Sequence, residues 1–316
     1  MREARHPRPS RKDGLLAAVG AALLWASINV ILKHVSGTQL HPIGVSCLLY
    51  LSALSVLAPA LVFLKRRYAV GLVRSELLRW PNLLAGLAKA GETLFFVYAV
   101  RAISATQTTM LKKLSPVWVY IILVLLLRER LRVLKVIGTL LAVAGIYVLL
   151  GFAPDAAAGN GAALGAVFAI LSGFSFAVFS VVLERGAAAG SPGSWVDRLQ
   201  TTVCFLGSAL LFMLPFGIAF LPGRYPSLSD LLWIYLAGGV FTGTTYFLYY
   251  TALTKLSSLL AVLMLSLIVV FTMLLELLFL GTATLTPSFA IGAAVILVGV
   301  LLVLSQREAS AANTDS

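Results

Sequence analysis

Charge is what this chain has least of. Only 11% of its 316 residues are charged, less than half the ~25% of an ordinary soluble domain. A soluble protein of this length needs a polar skin around its core. With 60% apolar residues the chain has too few polar side chains to make one, which excludes a soluble enzyme and a disordered chain alike. Cysteine is nearly missing too. Cys47 and Cys204 both lie in apolar runs, so there is no disulfide framework, and both read as small packing residues. Aspartate avoids the middle of the apolar runs: Asp13, Asp155, Asp197, Asp230 and Asp315 fall in loops, in tails or at the very start of a run. Histidine avoids them as well. His6, His34 and His41 stand at or beyond the run ends, which leaves no metal or haem site at membrane depth. Also missing is the ten-residue alternation of an outer-membrane barrel.

What is present is a series of continuous apolar runs of helix-spanning length. Ten are expected, at 15–35, 42–64, 81–101, 104–127, 133–151, 161–183, 196–220, 229–252, 256–280 and 287–305. The fold class is therefore an all-α polytopic membrane protein. The net charge of +12 has the size of a nucleic-acid signal, but its distribution assigns it to membrane topology, and no nucleic-acid partner is expected. With the N-terminus in the cytoplasm, eighteen Lys/Arg fall on the inside, in the N-terminal tail, in 65–80, near Arg128–Lys135 and at Arg185, Arg198, Lys255 and Arg307. Lys33, Arg101 and Arg224 fall outside. That bias predicts a multi-pass protein of the inner or plasma membrane with both termini cytoplasmic. The first run is too long for a signal peptide and reads as the first span.

The two halves echo each other. Gly138 and Gly145 of the fifth run match Gly292 and Gly299 of the tenth, each pair seven apart on one helix face. Cys47 and Pro59 of the second run match Cys204 and Pro215 of the seventh, and Tyr98 of the third matches Tyr249 or Tyr250 of the eighth. A duplicated five-span unit inserts its second copy upside down. The expected architecture is thus ten transmembrane helices as two inverted five-helix repeats, with a site near the midplane. The expected segments are a basic tail (1–13), a first repeat (14–152), a second repeat (153–306) and a second cytoplasmic tail (307–316).

The fourth run reads Leu114-Ser115-Pro116-Val117-Trp118, then an apolar stretch, then Arg128-Glu129-Arg130-Leu131; Ile137-Gly138 and Ala144-Gly145-Ile146 follow. With these residues the chain resembles the drug/metabolite transporter superfamily, in its EamA-type ten-span branch, over nearly its whole length. The second half departs from the pattern: Leu267 or Ile268 stands where a proline is expected, and Leu280-Gly281-Thr282 replaces a glycine-glutamate. The resemblance implies a carrier of a small metabolite or drug, often an exporter. It also implies a central cavity lined by spans one, three, four, six, eight and nine, and a chain that works as a monomer or homodimer. Small four-span relatives use a glutamate in the first span. Here that span holds only Trp25, Ser27 and Asn29, with Lys33 and His34 near its outer end, so that mechanism does not carry over.

Ionisable groups at membrane depth are costly and mark candidate sites. Lys89 and Glu92, three apart on the third run, are either a self-neutralising pair or part of a binding or coupling site. Glu92 is a candidate for a coupling proton. Lys112 and Lys113 are adjacent, so about 100° separates them on a helix. One faces the cavity, for an anionic or zwitterionic substrate, or merely pairs with Glu92 or Glu276. Thr109, Lys113, Pro116 and Tyr120 form one stripe and Thr108, Lys112 and Ser115 another. Glu276 is a lone carboxylate in the ninth run, Trp25 and Asn29 are one turn apart in the first, and Tyr246 and Tyr250 share a face in the eighth.

Catalysis finds no support: no paired deep aspartates, no deep serine–histidine pair and no phosphate-binding loop are present. The chain is not expected to be an enzyme and needs no cofactor or metal. The reading is a secondary transporter moving an amino acid, organic anion, similar metabolite or drug by alternating access. The alternative is a flippase for a lipid-linked sugar or other head group.

Overall fold

The structure, a computed structural model, describes residues 11–35, 41–67, 79–103, 105–126, 128, 132–150, 162–190, 194–219, 227–279, 281 and 287–312. Glu129, residues 1–10 of the first expected tail and residues 313–316 of the second lie outside these residues. In order along the chain the helices are α1 (Arg11–Val35), α2 (Pro42–Arg67), α3 (Trp80–Ala102), α4 (Ala105–Lys112), α5 (Ser115–Leu125), α6 (Val133–Leu150) and α7 (Ala162–Gly190). There follow α8 (Trp195–Ala219), α9 (Leu228–Tyr235), a π-helical stretch (Leu236–Thr242), α10 (Gly243–Leu253), α11 (Ser258–Met264), α12 (Leu267–Phe279) and α13 (Pro287–Ala312). Among the described residues nine helical segments are long and apolar enough to cross a membrane, and a further apolar helix at Val133–Leu149 is shorter. The protein is a polytopic α-helical membrane protein. Exposed side chains such as Leu16, Leu125, Leu140, Leu211 and Leu278 form the apolar exterior that a bilayer covers.

Helix starts follow local chemistry. Proline opens α2 and α13 and sits in the first turn of α3 and α5, where its missing N–H costs nothing. Before α8, Ser194 and Asp197 exchange bonds: the Ser194 N–H and hydroxyl donate to the Asp197 carboxylate, and the Asp197 N–H donates to Ser194 Oγ at 3.2 Å. This is a capping box in which an aspartate takes the acidic position. Ser227 caps α9, accepting from the Asp230 N–H at 3.1 Å.

Two membrane-length segments are broken. Between α4 and α5 the chain turns at Lys113 and Leu114, because Pro116 lacks an N–H and its ring pushes away the carbonyl of Lys112. The stripe Thr109–Lys113–Pro116–Tyr120, drawn on a continuous helix, is therefore interrupted. Between α11 and α12 the break is at Leu265 and Ser266, where no proline stands. There tight bonds close the turn, with the Ser266 N–H donating to Leu263 and the Ile268 N–H to Leu265. The π-helical stretch lies between α9 and α10, with the Thr242 hydroxyl donating to the Ala237 carbonyl at 2.9 Å. One extra residue in the turn rotates the following helix by about 100°, and so sets which face of α10 turns inward.

The packing pairs helices from the two halves. α6 lies against α13, α3 against α7 and α8, α2 against α8 and the π-helical stretch, and α1 against α10 and α12. The glycines noted in the sequence lie in the first of these contacts. A Cβ on Gly138 would sit 2.7 Å from the Gly299 carbonyl oxygen, and one on Gly292 would sit 2.6 Å from that of Gly145. The order reverses along the two helices, so they run antiparallel with backbones touching. A second glycine pair does the same elsewhere. Gly86 of α3 abuts Ser208 of α8, while Gly238 abuts Ser52 of α2.

One end of the bundle, where α1 begins, is tied by polar contacts. Lys255 donates to Asp13 at 2.8 Å, buried Lys65 donates to Gln200, and the Ser258 N–H at the start of α11 donates to the Glu184 carboxylate at 2.9 Å.

Candidate functional site

The third helix carries the centre of the site. Lys89 and Glu92 lie three apart on α3, so both project from one face. Each is about 2% exposed. Their side chains form an ion pair. The second carboxylate oxygen of Glu92 pairs with Lys112, the last residue of α4, whose side chain is 22% exposed. Glu92 therefore holds two ammonium groups at once, one sealed and one reachable. The sequence left Lys112 to pair with Glu92 or Glu276; the structure pairs it with Glu92.

The break after Lys112 places that side chain. The Lys112 carbonyl displaced by Pro116 lies where only a glycine fits: a Cβ on Gly173 of α7 would stand 2.7 Å from it. The preceding residue of α7, Ser172, donates its hydroxyl to the Glu92 carbonyl at 2.9 Å. α7 thus contacts both the Glu92 backbone and the Lys112 backbone. Lys112 also lies over the ring of Phe96, 4.5 Å from its centroid, a favourable cation–π distance.

Lys113 points elsewhere. Its ammonium donates to the Leu265 carbonyl at 3.3 Å, at the break between α11 and α12. The adjacent lysines thus serve different faces, as two neighbours about 100° apart and parted by the break can. One meets the α3 carboxylate and the other reaches the interrupted helix of the second half. The buried Ser266 hydroxyl beside that carbonyl has no hydrogen-bond partner among the described residues.

Aromatic rings close the site around Lys89. Its ammonium lies 5.3 Å from the Trp25 ring, 5.4 Å from Tyr246 and 5.9 Å from Phe176. The rings brace one another: Trp25 meets Tyr246 edge-on at 5.4 Å and Phe176 at 6.0 Å. Tyr50 of α2 meets Tyr246 at 6.4 Å and shares a 3.1 Å hydrogen bond with Thr93. Tyr249 is held by Ser180 at 2.6 Å.

Asn29 and Tyr120 turn to other partners. Asn29 is exposed and donates to Thr272 of α12 at 3.3 Å, so it turns toward the ninth run while Trp25 turns to Lys89. Tyr120 accepts a bond from the Arg132 N–H at 3.2 Å, which ties the end of α5 to the start of α6. Tyr250 is buried in the core, and Thr109 and Glu276 are half-buried. The sequence missed Tyr50, Phe96, Thr93, Ser172, Gly173 and Phe176. An aromatic or small residue within an apolar run carries no sign of its own. Only the placement of Phe176 four residues before Ser180 hints that one face of α7 is both polar and aromatic. No cluster of metal-ligating side chains occurs among the described residues.

An apolar cavity of about 390 Å³ lies between α1, the α9–α10 segment and α12, lined by Val30, Ile31, Trp233, Phe241, Leu275 and Phe279 among others. Asn29 and Thr272 border the same pair of helices.

The model of the family described as EamA-like transporter matches the chain twice, over residues 12–151 and 163–305. No curated protein matches it. A solved structure titled "Crystal structure of protein" shares the fold, at 23% identity and a TM-score of 0.75, with the match covering 93% of this chain and 98% of that one.

Proposed function

The chain belongs to the EamA-like transporter family within the drug/metabolite transporter superfamily, and from that premise we propose that it is a secondary carrier for a small organic anion or amino acid, working by alternating access and exporting its substrate. It is not an enzyme. The observation that carries the substrate class is the charge at its centre. Lys89 and Lys112 converge on one carboxylate, Glu92, while the adjacent Lys113 turns to Leu265, and Lys112 keeps an exposed face beside that carboxylate. A carboxylate or phosphate that meets Lys112 offsets the excess positive charge in a place where water cannot. Binding then competes with Glu92 for the same ammonium, which couples substrate entry to the position of α3, and Glu92 is the group available for a coupling proton.

Several observations support two inverted five-helix repeats, 14–152 and 153–306, with α6 as the fifth span. The family model matches each half. α6 and α13 meet antiparallel through counterpart glycines, and the Gly86–Ser208 contact has its counterpart in Gly238–Ser52. The breaks at Lys113 and Leu265 fall at matching places in the two halves, and interrupted helices at the midplane suit a substrate site. The Lys113–Leu265 bond links the two breaks, so a change at one is felt at the other. The excess of Lys/Arg in one set of loops supports cytoplasmic termini. The contacts of Asp13, Lys65 and Glu184 would then close the cytoplasmic end.

The test is transport by purified protein in liposomes. Lys112→Ala and Lys113→Ala are each expected to fold and to abolish uptake of an organic anion or amino acid. Normal transport by both variants would refute the site. The apolar cavity beside α1 and α12 favours a second reading, a flippase whose lipid tail rests there while the head group meets Lys112. Movement of a lipid-linked sugar, without uptake of any soluble anion, would select it.

A further inference from the structure

The surroundings of Lys89 differ from those of a lysine that only balances a carboxylate. Three aromatic faces stand 5.3–5.9 Å from one nitrogen, and a carboxylate closes the remaining side. The three rings come from α1, α7 and α10, three separate helices, so the enclosure is built by the tertiary fold and not by local sequence. Aromatic faces around a desolvated cation are how proteins recognise organic ammonium ions. Here the cation is the protein's own side chain.

We propose that Trp25, Phe176, Tyr246 and Glu92 form an ammonium-binding cage that Lys89 permanently occupies, and that Lys89 thereby excludes organic cations from the site. With the cage filled, the ammonium on Glu92 that is left to meet a ligand is that of Lys112. The cavity then reads substrates by their anionic group. Lys89 is in this sense a specificity-determining residue. Shortening it vacates a cage whose carboxylate and rings stay in place, because Glu92 retains Lys112 and Trp25 retains Tyr246 and Phe176. The atoms removed in Lys89→Ala correspond to n-propylammonium, which is the ligand the vacated cage takes. The transport consequence rests on the carrier reading above; the binding step stands on geometry alone.

The experiment measures ligand-dependent melting of the purified full chain. Wild type, Lys89→Ala and Lys89→Ala/Trp25→Leu are titrated with n-propylammonium chloride, with n-propanol as the neutral isostere and sodium chloride as the ionic-strength control. The expected result is at least tenfold tighter binding of n-propylammonium by Lys89→Ala than by wild type, seen as a rise in melting temperature. The neutral isostere and the salt give no such rise, and the added Trp25→Leu change removes most of it. If Lys89→Ala folds poorly, purification in the amine is expected to restore it. Folded Lys89→Ala that ignores the amine overturns the proposal. So does an equal response from wild type, or misfolding that the amine does not repair. Amine binding by Lys89→Ala together with no anion transport by wild type would keep the cage and remove the carrier reading.

Discussion

Replacing Glu92 by glutamine removes the one negative charge that two buried or half-buried ammonium groups share. Glutamine keeps the shape and some hydrogen bonding but none of the charge. Breaking a buried ion pair on one side costs about 3–5 kcal/mol, because the partner is left uncompensated. Lys89 is sealed and bears that cost in full. Lys112 is partly exposed and bears less of it. The loss expected for Glu92→Gln is therefore about 3–4 kcal/mol, more than a hundredfold in the folding equilibrium. Adding Lys89→Met removes the sealed orphan and fills its space among the rings, so the double variant should recover about half of the loss. Unfolding of the purified protein by denaturing detergent, run as a double-mutant cycle, reads both values. A Glu92→Gln variant within about 1 kcal/mol of wild type, or losses in the double variant that simply add, would refute the picture of one carboxylate holding two cations.

Gly145→Val places a methyl-bearing carbon about where the Ile296 N–H and Gly292 carbonyl already stand, 2.7 and 2.8 Å from the added Cβ; about 1–3 kcal/mol of stability should be lost in the same unfolding assay. Gly207→Ala, with nothing within 4 Å of its added carbon, should instead stabilise α8 by about 0.5–1 kcal/mol. Gly173→Ala should collide with the Lys112 carbonyl, move the α4–α5 break and stop transport while the protein still reaches the membrane, read by uptake and by surface expression. Tyr249→Phe loses its 2.6 Å bond to Ser180, but Ser180 still donates to the Phe176 carbonyl at 2.8 Å, so unfolding should show a loss of only about 0.5–1.5 kcal/mol.

The helices were legible because span-length apolar runs leave the backbone no other choice in lipid. The counterpart glycines were legible as a helix face, though not as partners of each other, since one sequence does not say which helices touch. Gly86 and Gly238 went unnoticed because neither has a glycine seven residues away on its own helix face, and their matching role emerges only when Ser208 and Ser52 are seen beneath them. Lys112 and Lys113 were recognised as opposed by simple helix geometry. Their destinations depended on two breaks. Pro116 announced the first. The second, at Leu265, was hidden because its tight turn comes from packing and hydrogen bonding, with no proline to mark it. The cage is the part least visible in sequence. Trp25, Phe176 and Tyr246 are separated by more than two hundred residues from first to last, and a run of apolar residues hides an aromatic that faces a charge as well as one that faces lipid.

The central claim is that an anionic group meets Lys112 in the middle of the bundle. The most direct measurement is ligand-dependent melting of wild type and the Lys112→Ala/Lys113→Ala double variant across amino acids, organic anions, sugar phosphates, nucleotide sugars and lipophilic cations. The account predicts stabilisation of wild type by an anion or amino acid, and its loss in the double variant. Stabilisation by lipophilic cations alone, unchanged or improved in the double variant, would contradict it.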